Sequence, residues 1–332
     1  MLQYNVLILT DHTNHTIENS LYSLASTMLA HDLTESIDIA SRGITENSAF
    51  FAEDNDALLH VTTISSDFVY TDSGHHFTNN LTVQEASKYD LVWLRLPPPL
   101  SEPFLKYIDS YFATSFIINN PAAIFKTGSK EFLTNFASVC PPLKICRSIA
   151  DIQTWKAKFP IVLKPFREYG GKGIIKIDGD SVWKGKEEMS FDMFLDSLNP
   201  KDINYLAVKF LKNVSEGDKR IVVVNGKIMG ASLRLPAKDS WICNVSMGGS
   251  SNIAMADEDE KEIISVIDPI ISKLGIVMYG VDTLVGDDGK RVLSEINTTS
   301  IGGLPQIAAL QGLPLVEEAI DLIWKYYLKN KS

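Results

Sequence analysis

VLSEINTTS, residues 292–300, decides how the rest of the chain is read. Val292, Leu293 and Ile296 suit a strand, yet Glu295 and Asn297 stand two residues apart within it. Side chains alternate along a strand, so the carboxylate and the carboxamide share one face. Upstream, GIVMYGVDTLVG (275–286) reads as the partner strand, with a turn at Asp287-Asp288-Gly289. It brings Asp282 beside that face, because adjacent strands lie ~4.8 Å apart. Oxygen donors without histidine or cysteine are hard ligands suited to Mg²⁺, which keeps waters and is completed by substrate phosphates. The competing reading is a polar surface face carrying two acids and an amide.

The bulk composition narrows the classes. The chain has 332 residues, 45% hydrophobic and 22% charged, which is globular and long enough for two or three lobes. Acidic residues outnumber basic ones 41 to 31, for a net charge of −10. That balance excludes phosphate tracking along a nucleic acid or an anionic membrane, while leaving room for a small anion held by local cations. Cys140, Cys146 and Cys243 form no CxxC pair and read as reduced thiols. The N-terminus lacks a basic, signal-like start, and no run approaches the ~20 apolar residues of a membrane span. The expectation is a cytoplasmic protein. DEDEKE (257–262) reads as the solvated first turn of a helix.

Element signals give an α/β start followed by α+β lobes. YNVLILT (4–10) reads as a buried strand, TIENSLYSLASTML as the helix after it, and YDLVWLRLPPPL (89–100) as a strand ended by prolines. No GxGxxG follows the first strand, which rejects a dinucleotide site. SKEFLTNFA (129–137) suggests a helix capped by Ser129. PIVLKPF (160–166), EYGGKG (168–173) and IIKI (174–177) form a hairpin around a glycine-rich turn, and a short helix is expected within 178–202. YLAVKFL (205–211), RIVVVNG (220–226) and KIMGASLRL (227–235) are strand-like, with Asn225-Gly226 as a turn. A helix over 258–274 should kink at Pro269. A last helix from Pro314 carries a core stripe at Val316, Ala319, Ile320, Ile323 and Tyr327.

Phosphate chemistry also needs cations and backbone donors. Lys164 ends a buried strand, where an unpaired ammonium would be costly. The Gly170-Gly171 turn could cradle phosphate oxygens or be a plain hairpin turn. Gly-Asp-Lys-Arg at 217–220 adds cations, or is a solvated loop.

The order of Lys130, VLKP (162–165), the glycine pair, GDKR (217–220), LRLP (233–236), NxxxGG (244–249), VDTLV (281–285) and EIN (295–297) resembles the ATP-grasp ligases, and within them the bacterial glutathione synthetase family. The similarity runs from about residue 90 to 300. It implies two α+β lobes clamping ATP behind an N-terminal α/β lobe: 1–120, then a small lobe over 121–204 with a glycine-rich lid, then a lobe over 205–332 with the metal site. It further implies that a carboxylate is phosphorylated and an amine then displaces the phosphate. On this resemblance Lys130 and Lys164 hold phosphates under the Gly170-Gly171 lid. Lys209, Phe210 and Leu211 form the adenine hinge, and Asp218 belongs to the ATP site. Asp282, Glu295 and Asn297 carry Mg²⁺, with Mn²⁺ as a substitute. Arg220, Arg234 and Asn244 act at the transferring group, and Arg95 and Ser300 face the substrate. A salt bridge to some carboxylate is the structural alternative for Arg95.

Three departures from the family pattern bear on substrate: Ile242 in place of a loop arginine, Val208 at the hinge, and Thr298–Gly303 in place of a Ser-Pro-Thr segment. The expected partners are ATP, a dipeptide or other carboxylate, and an amino-acid amine, γ-glutamylcysteine and glycine being the first choice. Rival readings are the same chemistry with another acceptor, and an ATP-binding module without catalysis. Relatives are often homo-oligomers, but no pattern in the chain marks an interface.

Overall fold

The computed structural model describes residues 2–236 and 250–331. Three sheets organise the described chain. The first contains β1 (Tyr4–Thr10), β2 (Thr34–Ser41), β3 (Leu59–Thr63), β4 (Thr82–Gln84), β5 (Leu91–Leu94) and β6 (Phe116–Ile118), in the order β4-β3-β2-β1-β5-β6. The central strands β2, β1, β5 and β6 run parallel, which is why β1 and β5 read as unbroken apolar runs: both faces are covered. The covering helices in this part are α1 (Leu21–Leu29), α2 (Ser48–Phe51), α3 (Glu102–Tyr111) and α4 (Pro121–Thr127). Helix α1 starts at Leu21, five residues later than its sequence suggests, because Asn19 Oδ1 accepts from Leu21 N and ends a turn there.

The second sheet comprises β7 (Leu143–Cys146), β8 (Ile161–Pro165), β9 (Ile175–Asp178), β10 (Ser181–Lys184), β11 (Glu187–Ser190) and β12 (Tyr205–Lys209). It packs on α5 (Ile149–Lys156) and α6 (Phe191–Asp196) through Ile152, Leu163, Phe191 and Phe194. The β8–β9 hairpin and the short helix are as expected, while β10 and β11 were hidden among polar residues. β12, which the sequence places with the strands after it, pairs with β7 and β8 instead. Residues 130–136 form a 3-10 helix rather than an α-helix, and the Ser129 side chain makes no cap.

The third sheet positions the chemistry. It is built from β13 (Asp218–Val224), β14 (Lys227–Leu235), β15 (Ser250–Ala254), β16 (Met278–Val285) and β17 (Arg291–Asn297), in the order β15-β14-β13-β16-β17. Asn225 and Gly226 both take positive φ (48° and 76°), the backbone that closes a two-residue hairpin between twisted strands. Helix α7 (Glu258–Lys273) runs uninterrupted through Pro269. After β17 come α8 (Leu304–Gln311), which the sequence reading missed, and α9 (Leu315–Asn330). The predicted α9 stripe is buried, and it closes against α1 in a core shared with β1.

One charge was misjudged. Asp257 and Glu260 form a capping box, but Glu260 is fully buried rather than solvated. Its carboxylate accepts from Lys219 Nζ at 2.9 Å and Thr283 Oγ1 at 2.6 Å, tying α7 to β13 and β16. Removing one partner of a buried pair leaves an uncompensated charge. Glu260→Ala is therefore expected to lower unfolding free energy by about 3–5 kcal/mol in denaturant titration. A loss under about 1 kcal/mol would mean that this clamp is idle.

Candidate active site

Register explains why the residues singled out in the sequence converge. Arg234 lies opposite Asp218 across β14 and β13, Arg220 opposite Asp282 across β13 and β16, and Asp282 opposite Glu295 across β16 and β17. Gly280 faces Asn297, where a side chain would press on Arg220 Cδ at 3.0 Å. Directly opposed residues project from the same face, so four strands deliver one polar cluster. Between Leu293 and Glu295 the register slips: Ser294 is an extra residue, a bulge that re-aims the strand just before the acid. Its carbonyl and hydroxyl are what Lys164 Nζ reaches, each at 3.3 Å.

Asp282 is the centre. Arg220 grips it with both Nε and Nη2, Arg234 Nη2 lies 3.0 Å from Oδ2, and Asn297 Nδ2 donates to Oδ2 at 3.2 Å. Arg234 also holds Asp218 in a fork, at 2.7 and 2.6 Å. Lys130 Nζ meets Glu295 Oε1 at 3.1 Å and the Glu168 carbonyl at 2.6 Å. Two cavities flank the cluster. One, of about 200 Å³, is lined by Val162, Val208, Leu211 and Leu293 and by Lys164, Gly171 and Glu295. The other, of about 280 Å³, lies among Pro97, Pro98, Arg167 and Thr298–Ile301. Gly170, Arg220 and Asn297 line both.

The family model described as prokaryotic glutathione synthetase, ATP-grasp domain, matches residues 129–312, which contain the polar cluster, the whole lining of the first cavity and part of that of the second. The chain belongs to this ATP-grasp family. Among the glutathione synthetase relatives, that of Bradyrhizobium diazoefficiens is 29% identical over 77% of this chain and 79% of its own length. That of Rhodopseudomonas palustris is 28% identical over 79% of this chain and 82% of its own length. In fold, the D-alanine-D-alanine ligase from Coxiella burnetii superposes with a TM-score of 0.65 at 12% identity, covering 100% of this chain and 97% of that one. The protein is an ATP-dependent ligase of the glutathione synthetase kind, built on the α/β and α+β lobes of the ATP-grasp fold. No helix among the described residues is long and apolar enough to cross a membrane.

Lys164, Gly170, Gly171, Lys209, Phe210, Leu211, Asp218, Arg220, Arg234, Asp282, Glu295 and Asn297 all line the first cavity. Gly170 and Gly171 take φ of 66° and 79°, which only glycine adopts without strain. At the hinge, the Lys209 side chain is paired with Asp287 at 2.6 Å, and the N–H groups of 209 and 210 already donate to Pro142 and Pro160. Lys130 lines neither of the two cavities and is buried beside them. Ser300 lines the second cavity and donates to the Arg95 carbonyl. Arg95 is not at either wall. It is buried, and its Nη2 donates at 2.8 Å to Ser20 Oγ and to the Ile301 carbonyl, with no carboxylate partner among the described residues. The salt-bridge alternative for Arg95 is thereby corrected: it braces the floor of the second cavity. Asn244 and Ile242 lie outside the described residues.

Three further residues, to which the sequence reading gives no site role, position the cluster. Asn119 donates to the Met278 and Thr298 carbonyls (2.6 and 2.8 Å) and accepts from Val277 N and Met278 N, stitching the first sheet to β16 and the end of β17. Its signal was an asparagine pair after an apolar strand, indistinguishable from a loop. Tyr169 donates to the Gly128 carbonyl at 3.0 Å, and Arg167 to that of Phe125 at 3.0 Å. Together they seat the stem of the glycine-rich turn on α4 and the residue after it.

The charges are tuned by these contacts. Burial pushes the Asp282 carboxyl up, but Arg220 and Arg234 outweigh it and hold it well below the ordinary range. Asp218 goes the other way: burial, then repulsion by Asp282, raise it to about 6 despite Arg234. Burial lowers the Lys164 ammonium, partly offset by Glu295. Because the folded pKa of Asp218 exceeds the ordinary 3.8, the folded protein binds this proton more tightly than the unfolded chain. The resulting stability is full below about pH 4 and lost as pH rises to about 6. The Tm of wild type minus that of Asp218→Asn should therefore fall between pH 4 and pH 6.5; a flat difference contradicts the assignment.

Proposed function

We propose that the protein joins γ-glutamylcysteine to glycine, using ATP and Mg²⁺, through an acyl phosphate. The observation that carries this is the shared wall of the two cavities. An apolar, lysine-bearing cavity suits a nucleotide with its adenine against Val208 and Leu211, and the second suits the acid. Their common residues, Arg220 and Asn297, then stand where the terminal phosphate meets the carboxylate.

In the first step a carboxylate oxygen of the dipeptide attacks the terminal phosphorus, and the bond to ADP breaks. In the second the glycine amine attacks the acyl carbon, the carbon–oxygen bond to phosphate breaks, and the amine sheds its proton. No protein nucleophile is needed; positioning and charge stabilisation suffice. Lys130 and Lys164 bind phosphate oxygens, with the Gly170-Gly171 turn closing over them and excluding water. Arg220 and Arg234 neutralise charge on the transferring group, and Asn244 acts beside the acyl phosphate.

The donor set fits a hard cation. Asp282 and Asn297 are in contact, Glu295 is opposite Asp282 and half-buried, and all offer oxygen. With two carboxylates and one carboxamide, the set leaves room in the coordination sphere for phosphate oxygens and water. When bound, Mg²⁺, or Mn²⁺ in its place, would neutralise and orient the phosphates. Glu295→Gln is expected to weaken Mg-ATP binding at least tenfold in calorimetry with only a modest fall in Tm, since the amide oxygen can still accept from Lys130 Nζ; intact binding with a collapsed Tm would make it a structural residue.

The direct test is amine-dependent ADP release. With γ-glutamylcysteine and glycine the wild type should turn over, and Arg220→Lys, lacking the planar fork, should lose on the order of 100-fold in kcat. Turnover only with another amine transfers the reading to a sister ligase, a direction favoured by the Thr298–Gly303 segment. ATP binding without amine-dependent ADP release for any acceptor would leave a nucleotide-binding module.

A further inference from the structure

Among the described residues the second cavity is lined by two arginines, Arg167 and Arg220, and by no aspartate or glutamate. Arg220 is committed to Asp282. Arg167 is different: it is exposed, and it forms no salt bridge among the described residues. Its guanidinium lies 3.7 Å from the centre of the Phe125 ring and spends one N–H on the Phe125 carbonyl. A guanidinium stacked on a ring is pinned in plane while its other N–H donors remain available as a fork. It sits at the stem of the glycine-rich turn, three residues before Gly170, which lines both cavities. A pinned cation with no carboxylate partner among the described residues, at the wall of a cavity they line without an acid, has the chemistry of a carboxylate receptor.

We propose that Arg167 is a specificity-determining residue that binds a carboxylate of the substrate other than the one being phosphorylated. The assignment rests on the acid-and-amine reading above. Two groups have this chemistry: the glutamyl α-carboxylate of the dipeptide and the carboxylate of glycine. Holding either would also draw the turn's stem onto the substrate, linking acid recognition to closure over the phosphates.

Carboxamide analogues separate the sources. The wild type is assayed for kcat/KM with γ-glutamylcysteine against its glutamyl α-carboxamide, and with glycine against glycinamide. A charged hydrogen-bonded pair is worth on the order of 10- to 100-fold, so one of the two amides should suffer a loss of that size. In Arg167→Met the same acid and amide should converge to within about twofold, whatever change the loosened turn brings to the KM for ATP. Arg167→Lys should retain part of the preference, since charge survives and the fork does not. If Arg167→Met keeps the full preference for both acids over both amides, Arg167 is only an anchor for the turn and the proposal is overturned. If the wild type turns over neither acid, the substrate reading fails first, a result visible before any variant is made.

Discussion

Everything at this site depends on one buried carboxylate, Asp282, being shared between two arginines on two neighbouring strands. Arg220 and Arg234 reach it because β13, β14 and β16 hold opposed residues in strict register. The arrangement is self-supporting, since Asp218 takes the other fork of Arg234 and Asn297 fills a remaining lone pair of Asp282. Burying such charges costs several kcal/mol per ion, so a lattice of this kind is a weak source of stability. What it secures is geometry: four guanidinium and carboxylate groups whose positions are fixed before any ligand arrives.

The cluster also reconciles an acidic protein with a polyanionic substrate. The chain as a whole carries −10, yet Lys130, Lys164, Arg220 and Arg234 outnumber Asp218, Asp282 and Glu295 around the junction. Asp218 tilts this further, because its raised pKa brings its protonation within reach of mildly acidic conditions. The attraction for phosphate is local, made by low-dielectric walls rather than by net charge. A ligand bearing phosphates and a divalent cation would let the lysines and carboxylates exchange partners, each keeping an opposite charge nearby.

Much of this was legible because strands and chemistry share one period. Glu295 and Asn297 two apart, with Asp282 across a short turn, needed only alternation and a hairpin, and the fold followed from motif order. What escaped did so for physical reasons. The Ser294 bulge leaves no mark in a sequence whose alternation resumes at once. Glu260 sits in an acidic run that looks solvated, and only tertiary packing buries it. β10 and β11 are only four residues each, with β11 at the sheet edge, too short to display the apolar alternation that betrays a strand. Arg95 and Asn119 act on backbone carbonyls of distant segments, contacts that no local pattern encodes. Arg167 carries no sequence signal of its own, because its ring partner Phe125 and its cavity are brought to it only by the fold.

In the proposed function Asp282, Glu295 and Asn297 form one cation site facing phosphates held by Lys130 and Lys164. A crystal structure with a non-hydrolysable ATP analogue and Mn²⁺, read by anomalous scattering, tests it most directly. A manganese peak is expected within bonding distance of oxygens from those three residues and of the phosphates, with Lys130 moved from Glu295 to a phosphate oxygen. A bound nucleotide with no metal at that junction, or with metal held elsewhere and the ion pairs of Asp282 and Glu295 unchanged, would contradict it.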